Sequence, residues 1–368
     1  MNTSSPPPLT VAFITDAPRV AGSEIWLLDV LPLLTRHEIH STVFLSEAAP
    51  LDELARRFEH AGVTVRRYRD LATLPGLTQD FDLRVVQGWT PGTYKRLLPR
   101  LNAPRWVISH DQLDYHYPPP LRLTYAETYF WTKARPFRWA DGVITVSEWA
   151  GEFIRQRMRV REAKVVQNGV KTGRFQPASP EERARLRHEY GFTRFTVLVP
   201  GRFAPEKNQL ASVLSARYAP QLDFIFVGDM DSSVGHLVRA IQQRFRLNNV
   251  QFWGRRWDMP ELYRAADVLL QPTLAENQSL VTLEAMSSGL PIVTTDIPAQ
   301  AELVQDGRTG LLVKPDPSLL GLALKALAAH PERARVFGAQ ARQHVLKHHR
   351  LEDSAAKVAT LLREAAGR

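Results

Sequence analysis

Short runs of β-branched and aromatic residues alternate along this chain with amphipathic segments of helix length. A first series of these runs predicts strands at residues 10–15, 41–45, 64–68, 83–86, 106–109 and 142–146. Apolar residues at helical spacing predict helices at residues 24–34 and 51–61. Because strands that alternate with helices form parallel sheets covered on both faces, the pattern favours an α/β fold.

The alternation starts again after a polar, proline-containing stretch. A second series of strands is predicted at residues 195–199, 224–227, 250–253, 268–270 and 291–294. We therefore expect two doubly wound, Rossmann-like domains facing each other across a cleft, with residues 1–172 in the first, 173–192 in a linker and 193–350 in the second. A last helix is predicted at about residues 351–365, and the sequence leaves open whether it packs back on the first domain. Ligands of such sheets bind beyond the carboxyl ends of the strands, so the loops there are candidate sites.

Composition excludes several classes of protein. Of the 368 residues, 44% are hydrophobic and 23% charged, as in ordinary globular proteins. The absence of cysteine excludes disulfide frameworks, thiolate zinc sites, iron–sulfur clusters and a cysteine nucleophile. A net charge of +9 is compatible with binding to a phosphorylated substrate, an anionic membrane or nucleic acid. The alternative is that the basic residues are scattered over a solvated surface. Arg183, Arg185 and Arg187 alternate along a predicted helix, which favours solvent exposure for them.

No targeting or membrane-spanning segment is expected. Residues 1–10 contain three prolines and no basic residue, unlike a secretory signal peptide. No apolar run approaches the ~18 residues that a membrane span requires. We therefore expect a cytoplasmic protein that at most contacts the cytoplasmic face of a membrane.

The polar turn after the predicted strand at 268–270 holds the strongest candidate residues. Glu276 lies in this turn, and a helix is predicted to start near Ser279. Free N–H groups at a helix start attract an anion, so Glu276 beside them fits a hydroxyl-rich group next to a phosphate. Glu284, inside the helix, could accept hydrogen bonds from a diol. The alternative is that Glu276 complements the helix dipole and Glu284 is merely exposed.

Two further loops carry candidate residues. Arg202 and Lys207 follow the first strand of the second series, and two such cations can hold a diphosphate. The alternative there is a solvated loop with a neighbouring Glu206–Lys207 pair. In the first domain, residues 16–24 form a small, glycine-containing turn after a strand. His110 ends another strand, with an ordinary structural histidine as the alternative.

In this order and spacing, the loops resemble the family 4 glycosyltransferases, which are retaining enzymes of the GT-B fold that use nucleotide sugars. Glu276 and Glu284 stand at the E-x7-E spacing of that family. Residues 201–207 are similar to the GR…EK phosphate loop of that family. Three further segments of the family are similar to residues 140–147, 168–175 and 302–313. The resemblance covers nearly the whole chain.

The resemblance implies a role for each matching residue of the second domain. Arg202 and Lys207 would neutralise the donor diphosphate, and the amides around Ser279, Leu280 and Val281 would cap the same phosphates. Glu276 would contact the donor sugar, and Glu284 would contact the ribose. Gly254 and Arg255 would lie against the base.

In the first domain, the resemblance implies that His110 faces the transferred sugar and that Gly22 and Ser23 close over the phosphates. The sequence departs from the family at Ala21, where the family has glycine. It departs again at residues 277–279, which carry side chains where the family often has glycine. The second departure leaves the donor sugar open.

The implied function is a retaining, metal-independent glycosyltransferase without a cofactor. It would move a sugar from a UDP- or GDP-linked donor to a saccharide, lipid-linked or small-molecule acceptor. Asp229 and Asp231 form a literal D-x-D, a metal signature of another glycosyltransferase fold, but they follow a strand that ends similarly in family 4. A GT-B-fold sugar-nucleotide epimerase and a catalytically silent subunit remain the alternatives.

Residues 115–139 interleave aromatic side chains with Lys133, Arg135 and Arg138. Such a stretch is typical of a face that meets an anionic membrane, or of a site for a lipid-linked or saccharide acceptor. The alternative is an aromatic core helix with a basic outer edge. Nucleic acid is not expected as a partner, because the sequence shows no recognised reader module.

Overall fold

The computed structural model describes residues 8–158 and 160–368, and the chain divides into two compact units. The first unit comprises the described residues up to Leu113, Pro119–Gly169 and Leu351–Arg368. The second comprises Asp114–Pro118 and Val170–Arg350. The stretch assigned to a linker from the sequence, 173–192, lies within the second unit.

Seven parallel strands form the sheet of the first unit. They are β1 (Leu9–Thr15), β2 (Ile39–Ser46), β3 (Thr64–Tyr68), β4 (Leu83–Gln87), β5 (Arg105–Ser109), β6 (Gly142–Thr145) and β7 (Ala163–Val165). Their order across the sheet is β3-β2-β1-β4-β5-β6-β7. The chain therefore moves outward from β1 to β3 and resumes on the other side of β1 with β4.

Six helices accompany these strands. They are α1 (Gly22–Leu34), α2 (Asp52–His60), α3 (Leu74–Leu77), α4 (Thr93–Leu97), α5 (Leu121–Tyr129) and α6 (Glu148–Arg157). A π-helical turn, Phe130–Ala134, and a 3₁₀ turn, Arg135–Trp139, continue the chain directly from α5.

The second unit repeats the plan with six parallel strands. They are β8 (Thr196–Pro200), β9 (Asp223–Val227), β10 (Val250–Phe252), β11 (Val268–Gln271), β12 (Ile292–Thr295) and β13 (Gly310–Val313), in the order β10-β9-β8-β11-β12-β13. Its helices are α7 (Pro180–Glu189), α8 (Gln209–Ser215), α9 (Ser233–Arg244), α10 (Met259–Ala265), α11 (Leu280–Ser287), α12 (Pro298–Ala301), α13 (Pro317–Ala329) and α14 (Pro331–His348).

The last helix, α15 (Leu351–Ala365), belongs to the first unit and packs against α1. Near its end, the Arg363 guanidinium donates to the main-chain oxygen of His37 over 2.7 Å. The chain thus returns to the first unit after completing the second.

Alternate side chains of the central strands enter apolar clusters on opposite faces of the second sheet. Val197 and Val199 of β8 join one cluster, whereas Leu198 joins the other. In β9, Phe226 joins the same cluster as Val197, and Ile225 joins the same cluster as Leu198. Burial on both faces explains why these strands are continuous apolar runs, and it confirms the doubly wound α/β class.

The predicted strands agree with the observed ones to within two residues at either end, but two observed strands were missed. Strand β7 has three residues with Lys164 at its centre, and such a short edge strand has almost no pattern. Strand β13 opens with Gly310, where a Cβ atom would lie 2.3 Å from the Ile292 oxygen, so close strand pairing requires glycine.

Among the described residues, no helix combines the length and apolar character needed to cross a membrane. The expected lack of a secretory signal concerned residues 1–10, and residues 1–7 lie outside the part of the chain that the structure describes.

The expectation that Arg183 and Arg187 are merely solvated is wrong. Both guanidinium groups pair with Asp267, over 2.6 and 2.7 Å, and the same carboxylate accepts the Thr196 N–H over 2.8 Å. These residues are four apart, so one face of α7 carries both to the segment that joins α10 to β11. Only Arg185 points outward, where it pairs with the exposed Glu189.

Asp267→Ala is expected to lower the free energy of unfolding by about 2–3 kcal/mol, because two partly buried guanidinium groups and a backbone N–H lose their acceptor. Urea unfolding followed by circular dichroism measures the change. Glu189→Ala breaks the exposed pair on the same helix and should cost at most about 0.5 kcal/mol. Equal losses in the two variants would contradict the structural role of Asp267.

Candidate active site

The order of strands in the second sheet creates a place for a ligand between two loops. Strands β8 and β11 are neighbours, but the chain leaves β8 toward β10 and returns only at β11. The loops that follow these two strands therefore diverge, and ligands of α/β sheets bind at such a switch point. Arg202 and Lys207 follow β8, and Glu276 follows β11.

Glycines allow the loop after β8 to pack closely on the loop after β9. Gly201 has a φ of 138°, and its N–H donates to the Val227 oxygen over 2.8 Å. A Cβ atom at Gly228 would lie 2.0 Å from the Gly201 oxygen. Glycine is therefore required at Gly228, and it fixes the backbone that leads to Arg202.

Each cation of the loop after β8 pairs with a different carboxylate. Arg202 contacts Glu206 over 2.7 Å, and Lys207 contacts Glu276 across the switch point. The alternative of a neighbouring Glu206–Lys207 pair is therefore wrong. The Lys207 and Glu276 side chains are 18% and 11% exposed, whereas the Arg202 side chain is 45% exposed. A mostly buried cation–carboxylate pair thus joins the loops after β8 and β11, beside a more exposed arginine of the first loop.

Hydrogen bonds tie the loops after β8 and β11 together. The main-chain oxygen of Glu206 accepts the Leu274 N–H over 2.7 Å and the Thr273 hydroxyl over 2.8 Å. The segment Asp114–Pro118, which belongs to the second unit, adds a bond from the His116 N–H to the Leu274 oxygen, over 2.8 Å. Local sequence pattern does not predict this last contact, because the two residues are far apart along the chain.

Helix α11 starts beside Glu276, as predicted. The Ser279 hydroxyl accepts the Thr282 N–H over 3.2 Å and donates to Oε1 of the buried Gln271, at the end of β11, over 3.1 Å. This cap satisfies one amide of the first turn, and the amides of Leu280 and Val281 belong to the same positive end of the helix.

Glu284 is half-buried on α11, so the alternative of a merely exposed carboxylate is wrong. The Tyr263 hydroxyl donates to its Oε2 over 3.0 Å. Burial, together with the neighbouring Glu284 carboxylate, holds the pKa of the buried Tyr263 well above its ordinary value. Sequence reasoning missed Tyr263, since nothing in the chain marks it as a partner of α11.

Gly254 and Arg255 lie beside the loop after β9. The Gly228 N–H donates to the Gly254 oxygen over 2.8 Å, and the exposed Arg255 and Asp229 side chains approach to 3.8 Å. Within the D-x-D, the Asp231 N–H donates to Asp229 over 3.0 Å. Among the described residues, no three histidine, aspartate or glutamate side chains are grouped to hold a metal ion.

The first unit has the same kind of switch point between β1 and β4. Gly22 and Ser23 are the first residues of α1, directly after the loop that follows β1. Ala21 has a φ of −139°, an extended conformation open to any residue, so its departure from the family glycine causes no backbone strain. Asp16 ties the two loops together, because its carboxylate accepts the Thr90 N–H over 3.0 Å and the Thr93 hydroxyl over 2.6 Å.

Glu24 is fully buried at this switch point and accepts four hydrogen bonds. Its Oε1 accepts from Thr15 over 3.2 Å and from Gln87 over 2.8 Å. Its Oε2 accepts from the Ala21 N–H over 3.2 Å and from the Ser23 hydroxyl over 2.9 Å. Burial raises the pKa of the Glu24 carboxyl to about 7. No local pattern marks Glu24 as a site residue, although it directly follows Gly22 and Ser23.

His110 follows β5 and packs edge-on against the α1 residue Trp26, with ring centroids 4.9 Å apart. Burial lowers the pKa of its imidazole to about 4, so His110 is neutral near pH 7. Its Nε2 atom is buried and has no hydrogen-bond partner in the described part of the chain. An orphaned buried nitrogen of this kind can bind a ligand hydroxyl.

The fold and the site together define an α/β protein whose two parallel sheets each carry polar residues at a switch point. Two family models match successive parts of the chain. The model described as Glycosyltransferase Family 4 matches residues 20–174, and the model described as Glycosyl transferases group 1 matches residues 194–330. Successive parts of the chain thus match glycosyltransferase models, including the family that the sequence motifs predicted.

Individual relatives agree with this assignment. The chain is 30% identical to EpsD of Bacillus subtilis over 57% of each protein, so it spans little more than half the length of that relative. It is 23% identical to the UDP-Gal:alpha-D-GlcNAc-diphosphoundecaprenol alpha-1,3-galactosyltransferase of Escherichia coli, over 83% of this chain and 84% of that protein. The crystal structure of Anabaena HepE (Alr3699) with UDP and glucose has a TM-score of 0.82 at 21% identity, covering 97% of this chain and 100% of that one. This last likeness confirms the fold.

The free energy of unfolding is expected to fall as the pH rises from about 4.5 to 7, because the unfolded state loses the Glu24 proton first. The full contribution is about 3 kcal/mol, present below pH 4.5 and lost above pH 7. Chemical unfolding at several pH values measures it, and Glu24→Gln should remove this part of the pH dependence. Parallel pH profiles for the two proteins would contradict the raised pKa.

Proposed function

We propose that this chain is a retaining, metal-independent glycosyltransferase that uses a UDP- or GDP-linked sugar. The observation that carries the proposal is the meeting of Arg202, Lys207 and Glu276 at the switch point between β8 and β11, beside the start of α11. Two cations and a helix N-terminus suit a diphosphate, and the carboxylate suits the hydroxyls of a sugar joined to it.

The ion pairs suggest how the site receives its donor. Lys207 and Glu276 hold each other in place, as do Arg202 and Glu206. A diphosphate offers both cations a stronger partner than a single carboxylate, and Glu276 is then released to accept bonds from sugar hydroxyls. The amides of Leu280 and Val281 add two uncharged donors at the same place.

The remaining family roles are proposed for residues whose surroundings suit them. Glu284, held by Tyr263, would bind the ribose diol, and Gly254 and Arg255 would lie against the base. His110 would bind a hydroxyl of the transferred sugar through its orphaned Nε2. Gly22 and Ser23, at the positive end of α1, would contact the phosphates.

The proposed reaction is a front-face substitution at the anomeric carbon. The bond from this carbon to the phosphate oxygen breaks, and a bond to the acceptor oxygen forms on the same face. The leaving nucleoside diphosphate takes the proton from the acceptor, so the reaction needs no protein base. Arg202 and Lys207 stabilise the charge that develops on the leaving group. A retaining hydrolase would instead need two carboxylates about 5 Å apart across the sugar.

Arg202→Ala and Lys207→Ala are each expected to lose about 1.5–3 kcal/mol of transition-state stabilisation, or roughly 10- to 150-fold in kcat/KM, since each removes one charged hydrogen bond. Donor consumption by the two variants measures the loss, and Arg335→Ala, which removes an exposed arginine of α14, is the control. Wild-type turnover in both variants would refute the phosphate assignment.

Activity of the wild type should survive excess EDTA. A loss of activity with EDTA that manganese restores would refute metal independence.

We also propose that the first unit meets the anionic, cytoplasmic face of a membrane that carries a lipid-linked acceptor. Leu121, Leu123, Phe130 and Trp131 are 48%, 66%, 42% and 54% exposed. The alternative of an aromatic core with a basic outer edge therefore holds for Tyr129 and Phe137, which are buried, but not for these four side chains. The Arg135 guanidinium lies 4.6 Å from the Trp131 ring centre. Exposed aromatic and aliphatic groups beside arginine suit the boundary between lipid headgroups and acyl chains. The Escherichia coli relative, whose name gives a diphosphoundecaprenol acceptor, supports this proposal.

Leu123→Glu and Trp131→Glu are each expected to reduce sedimentation with phosphatidylglycerol-containing vesicles at least tenfold, because a charge replaces an inserted apolar group. Leu322→Glu, at an equally exposed leucine of α13 in the second unit, is the matched control. Binding that is equal for the three variants, or equal on purely zwitterionic vesicles, would contradict the membrane proposal.

A further inference from the structure

The hydroxyl of Ser23 lies between Glu24 and Trp89. It donates to Glu24 Oε2 over 2.9 Å and accepts from the Trp89 indole over 3.4 Å. A serine hydroxyl has a single hydrogen to donate and two lone pairs with which to accept. While Glu24 is ionised, the only hydrogen of this hydroxyl is therefore directed into the protein and away from any ligand.

The four donors around the Glu24 carboxylate are all neutral groups. An ionised carboxylate only accepts hydrogen bonds, whereas a carboxylic acid donates one. Oε2 takes the proton, because the Thr15 hydroxyl beside Oε1 is fully buried and already accepts the Ala17 N–H over 3.2 Å. The proton on Oε2 must be given to the Ser23 hydroxyl, because the other neighbour of that oxygen is the Ala21 N–H, which cannot accept. The Ser23 oxygen then accepts from both Glu24 and Trp89, and its own hydrogen turns outward.

We infer that Glu24 is a proton-linked positioning residue, whose protonation turns the Ser23 hydroxyl toward the donor diphosphate and removes a negative charge from beside that anion. The inference rests on the proposed function, which places Gly22 and Ser23 against the phosphates. Glu24 itself touches no substrate, so it acts on the donor through the Ser23 hydroxyl and through its own charge. Donor binding and uptake of one proton by Glu24 then favour each other.

The other titratable groups around this cluster have separate partners or remain neutral. Asp16 accepts hydrogen bonds from the loop after β4, and Tyr68 donates to the main chain of β1. His110 is neutral near pH 7, because burial lowers its pKa to about 4. Arg19 lies 5.9 Å from the Trp89 ring centre, and Arg363 of α15 contacts the segment that follows α1. Burial raises the pKa of Glu24 to about 7, so its proton is exchanged in the physiological range.

Isothermal titration calorimetry in buffers of different ionisation enthalpy tests the inference. UDP-glucose and GDP-mannose are the probes, because their esterified phosphates lack the ionisation near pH 6 of a terminal phosphate. We expect uptake of about 0.5 proton at pH 7 and about 0.9 at pH 8, with an affinity that falls up to about tenfold per pH unit above 7. Binding that takes up no proton would overturn the inference and leave the proposed function standing.

Variants identify the groups that carry the proton linkage. Glu24→Gln should bind the probe with an affinity independent of pH and without proton uptake. Ser23→Ala should bind more weakly and lose the part of the proton uptake that the Ser23 hydroxyl carries, whereas Asp29→Asn, five residues further along α1, should behave like the wild type. Unchanged uptake in Glu24→Gln or in Ser23→Ala would overturn the inference. Failure of the wild type to bind either probe would overturn the inference and the proposed function together, and a thermal melt of each variant separates lost coupling from lost folding.

Discussion

The main-chain oxygen of Glu206 is the point on which the candidate site of the second unit depends. By accepting bonds from Thr273 and Leu274, it ties the loop after β8 to the loop after β11. The carboxylate of the same residue holds Arg202, and the next residue, Lys207, reaches Glu276. One short turn thus sets the spacing between two cations and the carboxylate beside them. Without these bonds, the residues would lie on independent loops with no common ligand.

A buried carboxylate also lies at the switch point of the first unit, but its surroundings differ. Glu206 pairs with a charged guanidinium, whereas Glu24 has neutral donors only. Burial without an opposite charge is what raises the pKa of Glu24. The two sheets therefore carry a carboxylate at equivalent positions. Glu206 holds a loop in place, whereas we propose that Glu24 exchanges a proton.

The sequence predicted the parts of the structure that depend on local pattern. Buried strands such as β8 and β9 are visible as apolar runs, and Ser279 is recognisable as a helix cap because its hydroxyl serves an amide three residues away. Contacts made through the tertiary structure were not predictable. Three examples depend on how distant segments pack: the Tyr263–Glu284 hydrogen bond, the ion pair of Arg183 with Asp267, and the orientation of α5. Strand β7 was missed because a three-residue edge strand has no periodicity to detect.

The second unit is expected to bind a nucleoside diphosphate through Arg202 and Lys207. A thermal-shift panel with UDP, GDP, ADP and inorganic phosphate tests it on the wild type and on a double alanine variant of these two residues. UDP or GDP at 100 times its dissociation constant should stabilise the wild type by about 2.7 kcal/mol, whereas the double variant should show no comparable shift. An absence of any shift with the nucleotides, or an equal shift in the double variant, would contradict the claim.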